Sequence, residues 1–381
     1  MPNTSPFINV RDYGATGDGK TDDTAAIAAA IAAAAPTGGG GQATGNTVVL
    51  PAGKYVVSAS LNLPPAVALE GMGWNTPGSQ ANVFAGSWLV VGAGASFSPV
   101  TIAGGGAALR RLGFNVADQP RSGPPPSAAP MVHVTAHNAL IEDVLLYNPY
   151  GGVYLDGAAQ AVIRRLWGQP VRYGVRVDRS QDVNYLETVH FWPYAYPAGT
   201  DAATYQLANG TAIELFRCDN PHLSNIFAFN YNKGLSLSAS PAGTPHKVHL
   251  MNADFDGCVT GVHIDAPGQA GYAATLQMVN VTVQSPGGGA PKGHGIWVEP
   301  AAAFAMIQAS NLRVARSGRH AVMVEADDAS FFGHNVSLEH WGEDPGFSIS
   351  AGSSFAYLDA GFSAVGGEPY APRRQFRLPK T

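Results

Sequence analysis

The stretch FINVRDYGATGDGKTDDTAAIAAAI, from Phe7 to Ile31, combines a short alternating apolar segment, a glycine-rich turn and an alanine-rich run. Within it, Gly14 to Thr21 satisfies the pattern G-x-x-x-x-G-K-S/T of phosphate-binding loops. A nucleotide-binding domain needs alternating strands and helices, and no second convincing amphipathic helix follows the alanine-rich run. Asp18, Asp22 and Asp23 would also repel phosphate groups. The sequence therefore favours a structural role for this turn.

The alanine-rich run predicts an α-helix from Asp23 to Ala35. Ile27 and Ile31 lie four residues apart and form one apolar stripe. A proline and a run of glycines end the helix. The carboxylate of Asp22 or Asp23 can accept hydrogen bonds from the first helical N–H groups. We therefore expect a short helix that buries one face.

The run V-x-D-Y-G-A-x-G-D-G-x-x-D-D-T-x-A-I-x-x-A-I, from Val10 to Ile31, is followed by VVLPAGKYVVS from Val48 to Ser58. Together they resemble the amino-terminal signature of the pectate-lyase-like family of right-handed parallel β-helices. That family includes polygalacturonase-like enzymes, alginate epimerases and bacteriophage tailspikes. The resemblance implies that the amino-terminal helix caps an open end of the β-helix and takes no part in chemistry.

Composition favours a turn-rich β architecture. The 381 residues include 46 glycines and 28 prolines, while 13% are charged and 45% are hydrophobic, which suits many turns around a sizeable core. A net charge of −5 argues against a nucleic-acid or anionic-membrane surface. No run of about 18 apolar residues occurs, so the sequence predicts no membrane span.

Two cysteines, Cys218 and Cys258, are too few for a disulfide framework and lack metal-ligand spacing. We expect both to be ordinary buried or half-buried thiols, and we predict neither a metal site nor a cofactor. The opening MPNTSPFINV lacks a basic segment followed by an apolar one, so no export signal is predicted. The expected location is the cytoplasm at synthesis, or a virion or other released particle.

A strand of the form apolar-x-apolar recurs along the chain, with shortest spacings of about 22 residues. Repeats of this size indicate a solenoid. We therefore predict an all-β fold: a single-stranded right-handed parallel β-helix with an amino-terminal capping α-helix. The expected organisation is one domain over residues 1–381, with a cap and first coil at 1–60, stacked coils at 61–365 and a tail at 366–381. The recurring strands centre on His133, Tyr154, Arg176, Glu214, Ser236, His263, Trp297, Met323 and Ser348.

A column of polar residues precedes the second strand of each repeat. We interpret it as a ladder of side-chain amides at a tight turn, because Asn tolerates the left-handed conformation; a binding site is the alternative. The column consists of Asp143, Arg165, Thr188, Asn225, Asn252, Asn280, Asn311 and Asn335.

Side chains alternate along a strand, so this column sets which positions face outward. Positions one and three after it are apolar, as at Phe255, and are expected inside. Positions two and four are then expected to face outward. They form one file of Leu145, Trp167, His190, Phe227, Asp254, Thr282, Arg313 and Ser337, and another of Tyr147, Gln169, Trp192, Phe229, Asp256, Gln284, Ala315 and Glu339.

Asp254 and Asp256 are the leading catalytic candidates. Their Cα atoms should lie about 6.5–7 Å apart on one strand, near the lower end of the carboxyl separation in inverting glycosidases. Two close carboxylates on a partly shielded face would separate their pKa values and give one acid and one base. Two solvated surface carboxylates are the simpler interpretation. Glu187 and His190 are further acid or base candidates from the neighbouring coil.

Outward aromatic residues need a cover, because exposed apolar surface is costly. A sugar ring is one cover; a second chain in a homotrimer, or the loop from Pro193 to Ala208, are the others. We predict a polysaccharide or oligosaccharide as partner. The predicted substrate-binding residues are Trp167, Trp192, Phe227, Phe229, Gln284 and Arg313.

The predicted function is an enzyme that cleaves a polysaccharide, by hydrolysis rather than β-elimination. A calcium-dependent lyase needs several acidic ligands for the calcium ion and an Arg or Lys as the base. Arg313 is the only Arg or Lys in the outward files. That composition favours a neutral or mildly acidic glycan. The alternatives are a polysaccharide lyase or epimerase, and a glycan-binding or structural protein of the tailspike kind that has no activity.

Overall fold

The computed structural model describes residues 7–36, 46–77, 83–120, 122–268, 275–286, 291–342, 347–349 and 355–363. It divides into two compact units, residues 1–205 (unit 1) and 206–381 (unit 2), and each is a stack of parallel strands. The predicted all-β parallel β-helix is confirmed. The single domain with boundaries after residues 60 and 365 remains a prediction, and the tail at 366–381 lies outside the described residues.

Unit 1 contains two sets of parallel strands. The first set comprises Phe7–Asn9, Asp18–Asp22, Thr47–Leu50, Gly53–Val56, Ala68–Gly71, Ser87–Gly92, Ala108–Arg110, Gly113–Ala117, Leu140–Leu146, Val162–Gly168 and Tyr185–Phe191. The second comprises Leu61–Leu63, Val100–Ile102, Pro130–Val134, Gly151–Asp156 and Tyr173–Asp178. A 3₁₀ turn spans Val10–Tyr13. An α-helix, Asp201–Asn209, includes the last residues of unit 1 and the first residues of unit 2.

Unit 2 repeats the arrangement with longer strands in its first set. These are His222–Phe229, Val248–Asp256, Leu276–Gln284, Met306–Arg316, Ser330–Glu339 and Phe355–Ser363. The second set comprises Thr211–Leu215, Lys233–Leu237, Thr260–Ile264, Ile296–Val298, Val322–Val324 and Phe347–Ile349. A short pair, Cys218–Asp219 and Pro245–His246, lies outside both sets.

The apolar-x-apolar pattern marks the core of each unit. In unit 1, Val132 pairs with Val153 and Val153 pairs with Val175, and all three are buried. In unit 2, Leu235 pairs with Val262 in the same manner. Because each strand pairs in parallel with the equivalent strand one repeat away, equivalent side chains stack in files. The core is therefore a column of apolar files inside each stack.

The amino-terminal helix runs from Thr24 to Ala34, one residue shorter at each end than predicted. Ile27 and Ile31 are buried as expected, and the helix packs on the strands Phe7–Asn9, Thr47–Leu50 and Leu61–Leu63. Asp22 Oδ1 accepts a hydrogen bond from the Thr24 N–H at 3.0 Å. The helix therefore packs its apolar face on early strands of unit 1.

The glycine-rich turn is filled by carboxylates of the chain itself. Asp23 does not cap the helix; its Oδ1 accepts from the Thr16 N–H at 2.7 Å and its Oδ2 from the Gly17 N–H at 3.1 Å. Asp18 Oδ1 accepts from the Thr21 and Lys20 N–H groups, both at 2.8 Å, and these bonds lower the pKa of Asp18 to about 2. The turn leads into a strand, not a helix. The amides that a phosphate would need are thus already occupied.

The polar column is a ladder, as predicted. Its residues all have positive φ, for example 55° at Asn225 and 51° at Asn335. In unit 2 each amide donates to the one before it, beginning with Asn252 Nδ2 to Asn225 Oδ1 at 3.3 Å. The bonds from Asn280, Asn311 and Asn335 continue the chain at 3.0, 2.9 and 2.7 Å. In unit 1, Arg165 Nη2 donates to Asp143 Oδ1 at 3.1 Å.

We expect Asn280→Ala to lower the free energy of unfolding by about 1–3 kcal/mol. It removes a donor to Asn252 and an acceptor for Asn311, and it puts a Cβ-bearing residue without a polar group at φ 55°. Asn280→Gly should lose less, since glycine tolerates positive φ at no steric cost. Urea denaturation measures both variants. If both variants are as stable as the wild type, the ladder has no structural role.

Candidate functional site

The acidic face of unit 2 is the outward surface of its first strand set. Across neighbouring strands, Phe227 pairs with Asp254, and Asp254 pairs with Thr282. Phe229 pairs with Asp256, which pairs with Gln284. Their backbone pairing and partial exposure confirm the predicted outward files over this stretch. We define the acidic face as Phe227, Phe229, Asp254, Asp256, Thr282, Gln284, Arg313, Ser337 and Glu339.

The two aspartates occupy different environments on this face. Asp254 is half-buried; burial raises its pKa, the negative charge of Asp256 raises it further, and Arg313 opposes both. Asp256 Oδ1 accepts a hydrogen bond from Gln284 Nε2 at 3.0 Å. The face therefore places Asp254, whose pKa is raised, beside Asp256, which accepts a hydrogen bond from Gln284.

Arg313 is engaged with a carboxylate in this structure. Its Nε and Nη2 donate to the two oxygens of Glu339 at 3.0 and 2.8 Å, a bidentate pair. Ser337 Oγ also donates to Glu339 at 2.9 Å. The pair raises the pKa of Arg313 and lowers the pKa of Glu339, in each case chiefly through their shared hydrogen bonds. Arg313 is thus a fixed cation and cannot serve as a general base.

Three residues of the predicted outward files are buried, which corrects those assignments. Ala315 leaves its file because the register shifts after Val283, so that Gln284 pairs with the next residue, Arg316. Gln169 is buried because it holds a loop, and Leu145 is buried next to Trp167 in the sheet. Alternation alone could not show a bulge or a covering loop.

The aromatic face of unit 1 consists of Trp74, Trp167, His190, Trp192 and Tyr194. The Trp167 ring centroid lies 6.2 Å from that of Trp74 and 4.7 Å from that of His190. His190 Nδ1 lies 3.1 Å from the Tyr194 hydroxyl, and burial lowers the pKa of His190, which favours the neutral imidazole. Within the described chain, the buried Nε1 of Trp167 has no hydrogen-bond partner. This face is therefore partly shielded from solvent, and the indole N–H of Trp167 is a hydrogen-bond donor without a partner among the described residues.

The start of the loop after Trp192 folds onto unit 1. Gln169 Oε1 accepts from the backbone N–H groups of Ala195 and Tyr196, both at 2.8 Å, and Gln169 Nε2 donates to the Tyr196 carbonyl at 3.0 Å. The predicted covering loop thus shields part of the face. Trp192 itself stays 42% exposed.

Glu187 lies in the same strand as His190, but Thr188 separates them with a φ of 58°. The pairing register is interrupted there, since Arg164 pairs with Glu187 and the next pair is Leu166 with Val189. Alternation therefore restarts between the two candidates. Glu187 and His190 belong to unit 1, and their cooperation with the aspartates of unit 2 remains a prediction.

A buried polar network in unit 2 was not anticipated. His263 Nε2 lies 2.6 Å from Glu299 Oε1, and its Nδ1 lies 3.3 Å from Ser236 Oγ. Burial lowers the pKa of His263, with the charge of Lys233 acting in the same direction. The signal in the sequence is a polar residue at the centre of an apolar-x-apolar strand, as at Ser236 and His263. Alternation places such a residue on the outward side of the strand, and the repeat alone does not show that neighbouring residues bury it.

Cys218 and Cys258 are buried thiols outside any disulfide, as predicted, and burial raises the pKa of Cys258 to about 12. Within the residues that the structure describes, no group of three or more His, Cys, Asp or Glu side chains is arranged to hold a metal ion. No helix among those residues has the length and apolar character to cross a membrane.

We expect Asp254→Asn to be more stable than the wild type at neutral pH. A raised pKa means that ionisation of Asp254 costs the folded state free energy. The wild type therefore loses stability, relative to the variant, as pH rises from the ordinary carboxyl pKa through the raised one. Thermal melts at pH 3, 5 and 7 test this. If the stability of the variant instead falls relative to that of the wild type as pH rises, folding lowers the pKa of Asp254 and the prediction is wrong.

Residues 7–149 match the sequence model of a family described as rhamnogalacturonase A/epimerase, pectate lyase-like. Comparison with curated protein sequences finds no significant match. Among solved structures, the chain is similar to the amino-terminal fragment of gene product 12 of bacteriophage Phi29, with 15% identity, a TM-score of 0.63 and 94% of this chain covered. At that identity the likeness shows a shared fold.

Two other similar structures have lower TM-scores. ORF18 of Geobacillus virus E2 has 14% identity, a TM-score of 0.43 and 93% of this chain covered. The A-module of mannuronan C-5 epimerase AlgE6 of Azotobacter vinelandii has 17% identity, a TM-score of 0.43 and 94% of this chain covered. The chain spans 61% of ORF18, 70% of the Phi29 fragment and 100% of the epimerase module. Residues 7–149 thus match a pectate-lyase-like family, and the chain shares its fold with the Phi29 fragment.

Proposed function

We propose that the protein is a carbohydrate-active enzyme that hydrolyses a polysaccharide on the acidic face of unit 2. The observation that carries the proposal is the pair Asp254 and Asp256, two residues apart on one strand, with the pKa of Asp254 raised. The description of the matching family as rhamnogalacturonase A/epimerase supports a carbohydrate substrate. Phe227 and Phe229 pair directly with the two aspartates and provide apolar rings beside them.

In the proposed reaction Asp254 is the general acid and Asp256 the general base. Asp254 gives its proton to the glycosidic oxygen as the bond from that oxygen to the anomeric carbon breaks. Asp256 takes a proton from the water whose oxygen forms the new bond to the anomeric carbon. One water is consumed, and the proton returns from Asp256 to Asp254 through solvent. Gln284, which donates to Asp256 Oδ1, orients the base.

Substrate binding is assigned to the neighbours of this pair. The rings of Phe227 and Phe229 are half-buried, so each retains a surface on which the apolar C–H face of a sugar can pack. Gln284 and Arg313 supply N–H donors for hydroxyl groups. In unit 1, Trp167 and Trp192 are proposed to bind further sugar rings, and Trp192 is exposed enough to do so.

The state of Arg313 favours hydrolysis over β-elimination. Elimination requires a base that removes the proton next to a carboxyl group, and a guanidinium whose pKa is raised by Glu339 cannot do this. Hydrolysis requires an acid and a base of the carboxyl type, which the acidic face has.

The test is an assay of a broad panel of neutral and acidic polysaccharides with two readouts. Hydrolysis releases reducing ends without new ultraviolet absorbance, and this is the expected result. Elimination leaves an unsaturated uronide that absorbs in the ultraviolet. That signal would replace the hydrolase with a lyase, and neither signal would favour a protein without activity.

A glycan-binding or structural protein of the tailspike kind is the second candidate. Trp192 is 42% exposed, and a homotrimer could bury it between chains. Light scattering at micromolar concentration separates the two arrangements. A stable trimer that binds a glycan without cleaving it would support this candidate, and a monomer would exclude burial of Trp192 between subunits.

A further inference from the structure

We propose that a second site, a cavity in unit 1, binds a glycan residue that carries an anionic group. The cavity has a volume of about 460 Å³, which is within the range of small-molecule sites. Its lining includes Lys54, Phe84, Asn115, Gln119 and Tyr147. We call it the Lys54 cavity. No residue of the acidic face contributes to it.

One wall of the Lys54 cavity is aromatic and held in place. The Phe84 ring packs edge-on against Trp88, with centroids 4.8 Å apart, and against Tyr147, with centroids 5.6 Å apart. Such edge-to-face contacts fix ring orientation. A sugar ring can pack on this wall through its C–H groups, as it does on aromatic platforms generally.

The backbone around the cavity is also fixed. Asn148 forms two hydrogen bonds with the backbone of Val116, at 2.8 and 2.9 Å. On another side, Gln169 holds the backbone of Ala195 and Tyr196. The cavity is therefore formed before a ligand arrives, which reduces the ordering cost of binding.

Two donor groups of the cavity, the Lys54 ammonium and the Gln119 amide, have no ion-pair or hydrogen-bond partner among the described residues. Lys54 is half-buried, and its ammonium lies 4.4 Å from the Phe84 ring centroid; over the described chain it forms no ion pair. Gln119 Nε2 is buried and has no hydrogen-bond partner in the same residues. A shielded cation and an unmet amide donor both favour an anionic, oxygen-rich ligand.

Asp118 also lines the cavity but does not reverse this preference. Its side chain is exposed at the rim, where water and salt screen its charge. Lys54 is the more shielded charge and dominates inside. Carboxylate, sulfate and phosphate groups share the required chemistry, so the ligand is defined as a sugar ring with one of the three.

The experiment is isothermal titration calorimetry with glucuronate, glucose 6-sulfate, glucose 6-phosphate and neutral methyl glucoside. We expect at least one anionic probe to bind about tenfold or more tightly than methyl glucoside. Lys54→Met, which keeps an apolar stem against Phe84, should remove that preference, and Gln119→Leu should weaken binding. Lys20→Met, at an exposed lysine outside the cavity, is the matched control and should bind as the wild type does.

The preferred probe identifies which anionic group the cavity takes. Equal affinity for neutral and anionic probes, an unchanged preference in Lys54→Met, or no binding of any probe up to about 10 mM would overturn the proposal. Circular dichroism of each variant confirms that it is folded. Because the assay measures binding and needs no turnover, its outcome is independent of the reaction proposed for Asp254 and Asp256.

Discussion

Asp254→Asn and Asp256→Asn should each lower turnover of the polysaccharide by at least about a hundredfold, the usual scale for a positioned proton-transfer group. Asp254→Asn removes the proton for the leaving oxygen, and Asp256→Asn removes the base that activates water. Both variants should fold, because the two side chains face outward and carry little of the core packing. The Asn at position 256 can still accept the hydrogen bond from Gln284.

Reducing-end release at saturating substrate measures the effect, and thermal melts confirm the fold. Asp219→Asn is the matched control, since Asp219 lies outside the acidic face in the same unit and pairs with Arg217. It should keep wild-type turnover. Wild-type turnover in both Asp254→Asn and Asp256→Asn would eliminate this pair as the catalytic acid and base.

Phe255→Ala should cost about 3–5 kcal/mol of the free energy of unfolding, the typical cost of emptying a buried aromatic site. Phe255 lies between the two aspartates in the chain but points inward and is 0% exposed. Its ring packs so closely on Gly234 that a Cβ there would lie 2.4 Å from Phe255 Cδ1. The surrounding backbone cannot easily collapse into the space, so a cavity would remain.

Phe227→Ala is the matched control for this prediction, because Phe227 is the same residue type on the neighbouring strand and faces outward. It should lose much less stability than Phe255→Ala and should instead weaken glycan binding. Urea denaturation compares the two. Equal losses would show that the assignment of inward and outward positions is wrong.

The fold could be predicted because the repeat places equivalent residues at equivalent depths. The amide ladder is the clearest case: five asparagines in one column indicated a left-handed turn, and each has positive φ and bonds to its neighbour. The same column set the strand phase, so the burial of Phe255 and the outward position of Asp254 followed.

Features that depend on contacts between distant positions could not be predicted. The carboxylate of Asp23 is a plausible helix cap by sequence, yet Thr16 and Gly17 bind it. Nothing in the sequence indicated that Arg313 is paired, yet Glu339, 26 residues further on, accepts two hydrogen bonds from it. Alternation gives the side of the sheet on which a residue lies, but it does not give that residue's partners.

The Lys54 cavity could not be predicted from the sequence for a related reason. Lys54, Asn115 and Tyr147 lie on or beside different strands, and Phe84 comes from a segment outside the strand pattern. No spacing in the chain links them. Only the structure shows that the Lys54 ammonium and the Gln119 amide lack partners among the described residues.

The most direct test of the central claim is a crystal structure of Asp254→Asn bound to an intact oligosaccharide of the polysaccharide that the wild type cleaves. We expect sugar rings on Phe227 and Phe229, a glycosidic oxygen within hydrogen-bond distance of residue 254, and a water between the anomeric carbon and Asp256. An oligosaccharide bound elsewhere, with the acidic face empty, would contradict the assignment of the active site to Asp254 and Asp256.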